Sequence, residues 1–276
     1  MKIKSGRDLT WIKTGGNVKV FEPESIQKLQ SFMHEQIPFR MLGFGSNVII
    51  PDEGLDDIIV KLTSMPNNIT NQGNDHLIVD AGMPNILLTR FCMKHGYTNL
   101  EFLHTVPGTL GGALYMNAGA YGACISDYLV WAEVIDQNGK IYCLDRHEIK
   151  YEYRNSNFPD KMIFLKGCFH VKKTDPEVVI KNIADMKKYR NDKQPRMNTF
   201  GSVFKNIDNN NAWKLIQKSD CIGMKIGGAY MSDLHCNFII NDGTASSSDI
   251  KELIQMVQTK VFGSTGMMLE REVVFF

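Results

Sequence analysis

The chain has 276 residues, 43% hydrophobic and 22% charged, a mix typical of a soluble globular protein with more than one core. Its 31 Lys and Arg residues nearly balance 30 Asp and Glu residues, which argues against a nucleic-acid coat protein or a polybasic membrane anchor. No run approaches the ~20 apolar residues of a membrane span. An anionic substrate must therefore be recognised by a few placed cations.

The cysteines and the N-terminus predict the compartment. No apolar stretch follows the first basic residues, so no signal peptide is visible. The six cysteines are scattered singly and form no C-x-x-C pair, which disfavours a metal site or a dithiol. We therefore expect a cytoplasmic protein with reduced, mostly packed thiols and no metal.

The first third of the chain alternates between strand and helix patterns. A helix is predicted from Glu22 to about Glu35, with Pro23 in its first turn, where a missing N–H costs nothing. The polar stretch Ser64–Asp75 predicts a hairpin or a domain boundary. The predicted strands are Val18–Phe21, Phe39–Leu42, Val48–Ile50 and Ile58–Val60.

The rest of the chain continues this mixture. Asn138-Gly139 lies between two strand patterns and predicts a β-hairpin. Predicted strands are Leu77–Asp80, Val130–Asp136, Lys140–Leu144, Phe164–Val171 and Glu272–Phe276, and predicted helices are Asn85–His95, Asp175 to about Tyr189 and Ser248 to about Phe262. The fold class is α+β, and we predict three domains, at 1–66, 67–174 and 175–276.

Two segments are rich in small residues. Gly43-Phe44-Gly45-Ser46-Asn47 follows a strand, so its amides could approach phosphate oxygens closely, although a plain tight turn fits the pattern as well. Thr105–Gly122 contains five glycines and three alanines, which leave little volume for a core. A turn-rich hairpin or a surface for a flat ligand would explain it. The two segments together favour an extended dinucleotide.

Several motifs occur in the same order along nearly the whole chain, and with them the sequence resembles the UDP-N-acetylenolpyruvoylglucosamine reductases (UDP-N-acetylmuramate dehydrogenases). They are G-F-G-S-N at 43–47, V-P-G-T-L-G-G-A at 106–113, M-N-A-G-A-Y-G at 116–122, Y-R-N-S-N-F at 153–158, K-Q-P at 193–195, G-S-V-F-K-N at 201–206, I-G-G-A-Y-M-S-D-L-H-C-N-F-I-I-N at 226–241 and L-E-R-E-V at 269–273. Phe44 and Ile207 depart from the usual Gly and Pro, but neither position supplies a reacting group.

The resemblance implies the fold and the reaction. It implies an FAD-binding fold of the vanillyl-alcohol oxidase type, built from two α+β subdomains, and a C-terminal α+β substrate-binding domain whose terminal strand returns to the active site. The compact C-terminal section is similar to the shorter subtype of the family. The implied activity is NADPH-dependent reduction of UDP-N-acetylglucosamine-enolpyruvate through non-covalent FAD, in peptidoglycan synthesis, which supports cell shape and division. We expect a monomer that binds neither nucleic acid nor membrane.

The resemblance also assigns catalytic roles. Arg154 is expected beside the substrate carboxylate, Ser202 as the proton donor and Glu272 as the carboxyl partner. Reduction beside a carboxylate builds negative charge, which a guanidinium can pair bidentately. A serine is a poor acid alone, and Lys205 in the same turn is a candidate to lower that cost. Spacing does not separate Glu272 from Glu270, which shares one face of the predicted strand; the family motif selects Glu272.

The remaining expected site residues bind ligands. For FAD they are Gly43, Gly45, Ser46, Asn47, Val106, Pro107, Gly108, Gly111, Gly112, Asn117, Ala118 and Gly122, and for the substrate they are Tyr153, Arg190, Lys193, Lys205 and Asn206. Without the resemblance, each polar residue among them fits a turn or a solvated face equally well.

Two other functions stay open. A flavin oxidase of the same fold would act on another substrate, would not need Arg154, Ser202 and Glu272, and often has a covalent flavin. A non-enzymatic homologue would have lost these residues. His235 and Cys236 lack further ligands at metal spacing, so a packed or loop-stabilising histidine is favoured.

Overall fold

The computed structural model describes residues 1–159, 161–196, 198–207 and 210–276. Its strands are β1 (Lys2–Ser5), β2 (Asn17–Phe21), β3 (Phe39–Met41), β4 (Val48–Ile49), β5 (Ile58–Val60), β6 (Ile69–Gly73), β7 (His76–Asp80), β8 (Tyr97–Thr98), β9 (Gly119–Ala120), β10 (Ala123–Cys124), β11 (Leu129–Ile135), β12 (Ile141–Asp145), β13 (Ile163–His170), β14 (Lys172–Lys173), β15 (Lys225–Ile226), β16 (Ala229–Met231), β17 (Ile239–Asn241) and β18 (Val274–Phe275).

The helices complete an α+β fold, as the sequence predicted. They are α1 (Gly6–Leu9), α2 (Ile26–His34), α3 (Asn85–His95), α4 (Leu110–Tyr115), α5 (Pro176–Lys193), α6 (Ala212–Lys218) and α7 (Ser247–Thr265). In the part of the chain that the structure describes, no helix is long and apolar enough to cross a membrane.

Two compact units divide the chain. Unit 1 contains Val20–Gly43 and Asp57–Arg190 together with Met1, and unit 2 contains the segments Lys2–Lys19, Phe44–Asp56 and Asn191–Phe276. Each unit has its own buried apolar core.

Unit 1 is organised around an antiparallel sheet with the strand order β12-β11-β13-β7-β6. The predicted hairpin between β11 and β12 is confirmed, with Ile135 opposite Ile141. A second hairpin joins β6 to β7 through Asn74 and Asp75, both of which have positive φ, as a two-residue turn requires. The hairpin expected within Ser64–Asp75 is thus confirmed. Separately, β2 and β3 each pair in parallel with β5.

Unit 2 contains the antiparallel sheet β15-β16-β17 and the parallel pair β4 and β18. Helix α7 covers a core that includes Ile250, Leu253 and Val257, all of which are fully buried. Its start is capped by Ser246, whose hydroxyl accepts a hydrogen bond from the Asp249 amide at 3.0 Å. The predicted helix at Ser248–Phe262 is confirmed, extended by a turn at its end.

Two predicted element boundaries were wrong. Helix α2 begins at Ile26, after Pro23, because the Ser25 hydroxyl accepts from the Lys28 amide at 3.3 Å and caps the helix there. The terminal strand begins at Val274, so Glu272 precedes it and the alternating face expected for Glu270 and Glu272 does not form.

Candidate active site

The end of β3 and the small-residue segment before α4 lie against each other in unit 1. A Cβ atom on Gly43 would stand 2.7 Å from the Thr109 hydroxyl oxygen, so a side chain there would force Thr109 to shift. The Gly43 carbonyl accepts a hydrogen bond from the buried Lys61 ammonium. The structure therefore brings the first residue of one predicted loop onto the other.

Helix α4 was not predicted, because a Leu-Gly-Gly sequence has low helix propensity. Thr109 caps it by accepting from the Gly112 amide at 3.4 Å. The Gly111 amide donates to the Ala81 carbonyl at 2.7 Å, and a Cβ on Gly111 would lie 3.2 Å from Ala81. Packing against the segment after β7 thus overrides propensity, and Gly111 is small for a structural reason.

Gly112 is small without such a reason. Among the described atoms, a Cβ there would meet only the Thr109 hydroxyl oxygen, at an ordinary 3.6 Å. Gly122, by contrast, needs its positive φ of 82°, although no described atom lies within 4 Å of its Cβ position. The open side of Gly112 is where a flat ligand could lie on the helix.

Asn117 is buried and its side chain is engaged by the protein. Its Nδ2 donates to the Glu152 carbonyl at 2.8 Å, and its Oδ1 accepts from the Ser126 amide at 3.4 Å. The bond from Asn117 to Glu152 therefore connects the turn that carries Tyr153 and Arg154 to the Met116–Gly122 loop.

Arg154 returns to the same loop. Its Nη2 donates to the Gly119 carbonyl at 2.8 Å, and its guanidinium carbon lies 4.8 Å from the centre of the exposed Tyr153 ring. The φ of Arg154 is +56°, a left-handed conformation that costs about 1–3 kcal/mol in a residue other than glycine.

In unit 2, Ser202 and Glu272 lie on neighbouring backbone segments. The Glu272 amide donates to the Val203 carbonyl at 2.8 Å, and both Ser202 and Glu272 are half-buried. Asn47 joins them, because its Nδ2 donates to the Glu272 carbonyl at 3.0 Å. Three predicted site residues are thus brought together.

Lys205 and Asn206 follow on the same segment. The Lys205 ammonium pairs with the exposed Glu270 carboxylate at 2.5 Å. The Asn206 Oδ1 accepts from the Ala212 amide at 3.0 Å and so caps α6 from outside the helix.

The other expected ligand residues lie in both units. Arg190 donates to the Thr105 carbonyl, and burial lowers the pKa of its guanidinium. Gly45 has a φ of +64°, and a Cβ there would lie 2.0 Å from the Leu9 carbonyl oxygen, so this glycine has a structural role. Unit 1 also contains Val106, Pro107, Gly108 and Ala118, and unit 2 also contains Ser46 and the exposed Lys193.

His235 is packed, as expected. Its ring lies 4.7 Å from the Phe238 ring, its Nδ1 accepts from the Asn237 amide at 3.3 Å, and burial lowers its pKa. The Cys236 thiol donates to the Trp213 carbonyl at 3.1 Å. No group of three or more His, Cys, Asp or Glu residues within the described ranges could hold a metal ion.

Sequence reasoning missed Lys61, Thr109 and Asn237. Lys61 had a signal, because it is a lysine directly after an apolar strand. Thr109 had one too, as a helix-capping residue type placed before Leu110. Asn237 lies inside the long motif at 226–241, and nothing in the sequence around it marked it as functional.

Comparison with known proteins identifies the family. Residues 18–145 match the FAD binding domain, and residues 193–276 match the C-terminal domain of UDP-N-acetylenolpyruvoylglucosamine reductase. A UDP-N-acetylenolpyruvoylglucosamine reductase from Rickettsia conorii is 39% identical over 97% of this chain and 92% of its own length. The chain belongs to the UDP-N-acetylenolpyruvoylglucosamine reductase family.

Other members of this reductase family agree. One from Rickettsia prowazekii is 38% identical over the same shares of both chains. The crystal structure of the reductase from Thermus caldophilus superposes with a TM-score of 0.89 at 28% identity, covering 100% of this chain and 98% of that one. The predicted family and fold are confirmed, and the chain is an FAD-containing oxidoreductase.

Proposed function

We propose that this protein reduces the enolpyruvyl group of UDP-N-acetylglucosamine-enolpyruvate with NADPH and forms UDP-N-acetylmuramate. Family membership over nearly the full chain is the observation that carries this proposal. Residues 18–145 match the FAD binding domain, so FAD is the redox group of the proposed reaction. An oxidase of the same fold is not favoured, because the relatives are named reductases.

The residues in unit 1 fit a flavin nucleotide. Three features of unit 1 give a surface without bulky side chains. They are the open side of Gly112, the open space at Gly122 and the close approach of Gly43 to Thr109. The amides of Gly111 and Gly112 already donate to Ala81 and Thr109, so neither serves as a phosphate donor, and Gly112 contributes space instead.

When bound, FAD would supply hydride transfer, whereas the side chains of the protein stabilise the developing charge and donate the proton. Arg154 pairs with the carboxylate of the enolpyruvyl group and stabilises the negative charge that develops there. Its anchorage to Gly119 and its stacking on Tyr153 hold the guanidinium in one orientation. The cation thus needs little reorganisation during the reaction.

Ser202 gives a proton to the substrate carbon next to the carboxylate, with Glu272 as its carboxyl partner. Their neighbouring backbones in unit 2 support this pairing of roles. Lys205, on the same segment as Ser202, lowers the cost of removing the hydroxyl proton.

Tyr153, Arg190, Lys193 and Asn206 bind the carboxylate and diphosphate of the nucleotide sugar. We retain the three predicted functional regions: FAD-binding subdomains at 1–66 and 67–174, and a substrate-binding domain at 175–276. The separate matches at 18–145 and 193–276 support a division between an FAD-binding part and a C-terminal part. We infer that the protein is cytoplasmic, because NADPH and nucleotide sugars are cytoplasmic metabolites, and we retain the prediction that it is a monomer.

The first prediction tests the cofactor and both substrates. The purified protein should be yellow, and acid precipitation should release its FAD into the supernatant. NADPH should bleach the flavin without oxygen, and UDP-N-acetylglucosamine-enolpyruvate should restore the colour.

Three outcomes contradict the proposal in different ways. A pellet that keeps its colour indicates a covalent flavin. Reoxidation by oxygen but not by the nucleotide sugar indicates an oxidase. A protein indifferent to FAD indicates a homologue without redox activity.

A further inference from the structure

The backbone segment that carries Ser202 and Lys205 is paired on both sides. On one side, the Val203 amide donates to the Asn237 carbonyl at 2.9 Å. On the other, the Lys205 amide donates to the Glu270 carbonyl at 2.9 Å, in addition to the bond from Glu272 to Val203. Yet the segment is not part of a regular sheet, so side chains must supply bonds that a neighbouring strand would make.

Asn237 supplies two of these bonds with its side chain. Its Oδ1 accepts from the Phe204 amide at 3.0 Å, and its Nδ2 donates to the Phe204 carbonyl at 2.9 Å. Asn237 is 4% exposed and Phe204 is 1% exposed. The side-chain amide therefore substitutes for the peptide unit of a missing partner strand.

Chemistry restricts this position to a group with one donor and one acceptor. Asparagine has both at the spacing of a peptide group. A carboxylate would keep the acceptor but would face the Phe204 carbonyl with a second acceptor. Alanine would leave both backbone groups of Phe204 buried without these partners, which costs about 1–3 kcal/mol for each group.

We propose that Asn237 is a positioning residue for the proton donor Ser202. It fixes Val203 and Phe204, and thereby sets where the Ser202 hydroxyl and the Lys205 ammonium lie at the two ends of the segment. Asn237 itself touches neither substrate nor cofactor in this role. The inference rests on the proposed function, since it concerns protonation of the substrate carbon.

Asn241 provides a matched control. It lies four residues further on, is 1% exposed, and likewise uses both ends of its amide: Nδ2 donates to the Ile12 carbonyl at 2.8 Å and Oδ1 accepts from the Gly243 amide at 2.7 Å. Neither of these partners belongs to the Ser202–Lys205 segment. Replacing it tests the loss of a buried amide in unit 2 without disturbing the proton donor.

The experiment measures the two half-reactions separately by stopped flow. Asn237→Asp at pH 8 should be reduced by NADPH within about twofold of the wild-type rate, whereas its reoxidation by the nucleotide sugar should slow by about 10- to 100-fold, as misplacement of a reacting group by 1 Å does. Asn241→Asp should leave both rates within about twofold, with a lowered Tm.

A pH profile tests the donor–acceptor pair itself, provided that thermal unfolding shows the variant folded at both pH values. A protonated carboxyl group again has one donor and one acceptor, so reoxidation by Asn237→Asp should recover toward pH 6, relative to the wild type. Asn237→Ala should not recover. The alanine variant keeps His235, whose Nδ1 accepts from the amide of residue 237, so titration of that ring is controlled for.

The outcomes separate this inference from the proposed function. If the wild type is not reoxidised by the nucleotide sugar, the function and the inference both fail. If the wild type is reoxidised and Asn237→Asp keeps its rate, slows both half-reactions equally or shows no recovery at low pH, only the positioning role fails. Should the alanine variant not fold, the aspartate variant at the two pH values still decides.

Discussion

Two glutamates on either side of Arg271 have different environments. Glu270 is exposed and pairs with Lys205, whereas Glu272 is half-buried, and Asn47 and Val203 both bond to its backbone. Sequence spacing could not distinguish them, because it assumed a regular strand through both. The difference arises from backbone pairing between segments far apart in the chain, which no local pattern encodes.

Ser202 is the residue whose replacement should separate the two half-reactions. Its assigned step is protonation of the substrate carbon, which NADPH oxidation does not share. Ser202→Ala should bind FAD and be reduced by NADPH at nearly the wild-type rate, but its reoxidation by the nucleotide sugar should slow by ~10²–10⁴, as loss of a positioned general acid does. Stopped-flow absorbance of the flavin measures both steps.

The two glutamates provide the matched comparison for this prediction. Glu272→Gln should slow reoxidation, whereas Glu270→Gln should have a mild effect, because an exposed ion pair contributes only about 0–1 kcal/mol. Reoxidation of Ser202→Ala at the wild-type rate would assign the proton to another group.

Among the elements, the long periodic ones were predictable, whereas several short helices were not. Helix α3 matches its predicted bounds, and the β11–β12 hairpin was encoded by Asn138-Gly139. Helices α4 and α6 were missed, because α4 depends on packing at Gly111 and α6 on a cap from Asn206. Tertiary contacts, rather than local propensity, stabilise these two elements.

The two adjacent glycines of α4 should respond differently to substitution. Gly112→Val should lose FAD but keep a folded protein, because the new side chain would enter space that the described atoms leave open. Gly111→Ala should instead lower stability by about 1–3 kcal/mol, because its Cβ would press on Ala81.

Flavin absorbance after gel filtration and thermal unfolding measure these two effects. A Gly112→Val protein that retains stoichiometric FAD would show that the cofactor does not lie on α4.

For the whole molecule, composition and motif order were sufficient to predict the fold class and the family. They were not sufficient to predict how the chain divides its segments: Phe44–Asp56 belongs to unit 2 although residues on both sides belong to unit 1. Arg154 lies in unit 1, whereas Ser202 and Glu272 lie in unit 2. Such an arrangement depends on contacts between distant residues, and periodicity reports only on near ones.

We expect this protein to bind its two substrates alternately rather than together. The sequence contains no second dinucleotide fingerprint, so we expect NADPH and the nucleotide sugar to use one pocket alternately. Initial rates should give parallel double-reciprocal lines, with inhibition when either substrate is in excess. Intersecting lines without inhibition would instead indicate that both substrates bind at once.

The hydrogen bond from Asn47 to Glu272 spans 225 residues of sequence, and this distance has a consequence for how the protein is made. During synthesis, unit 1 is complete once Arg190 has emerged, whereas β4 must wait for β18. Contacts between residues so far apart in the sequence form slowly. Strand β4 therefore lacks its partner strand until β18 has been synthesised, and the backbone link that holds Glu272 cannot form before then.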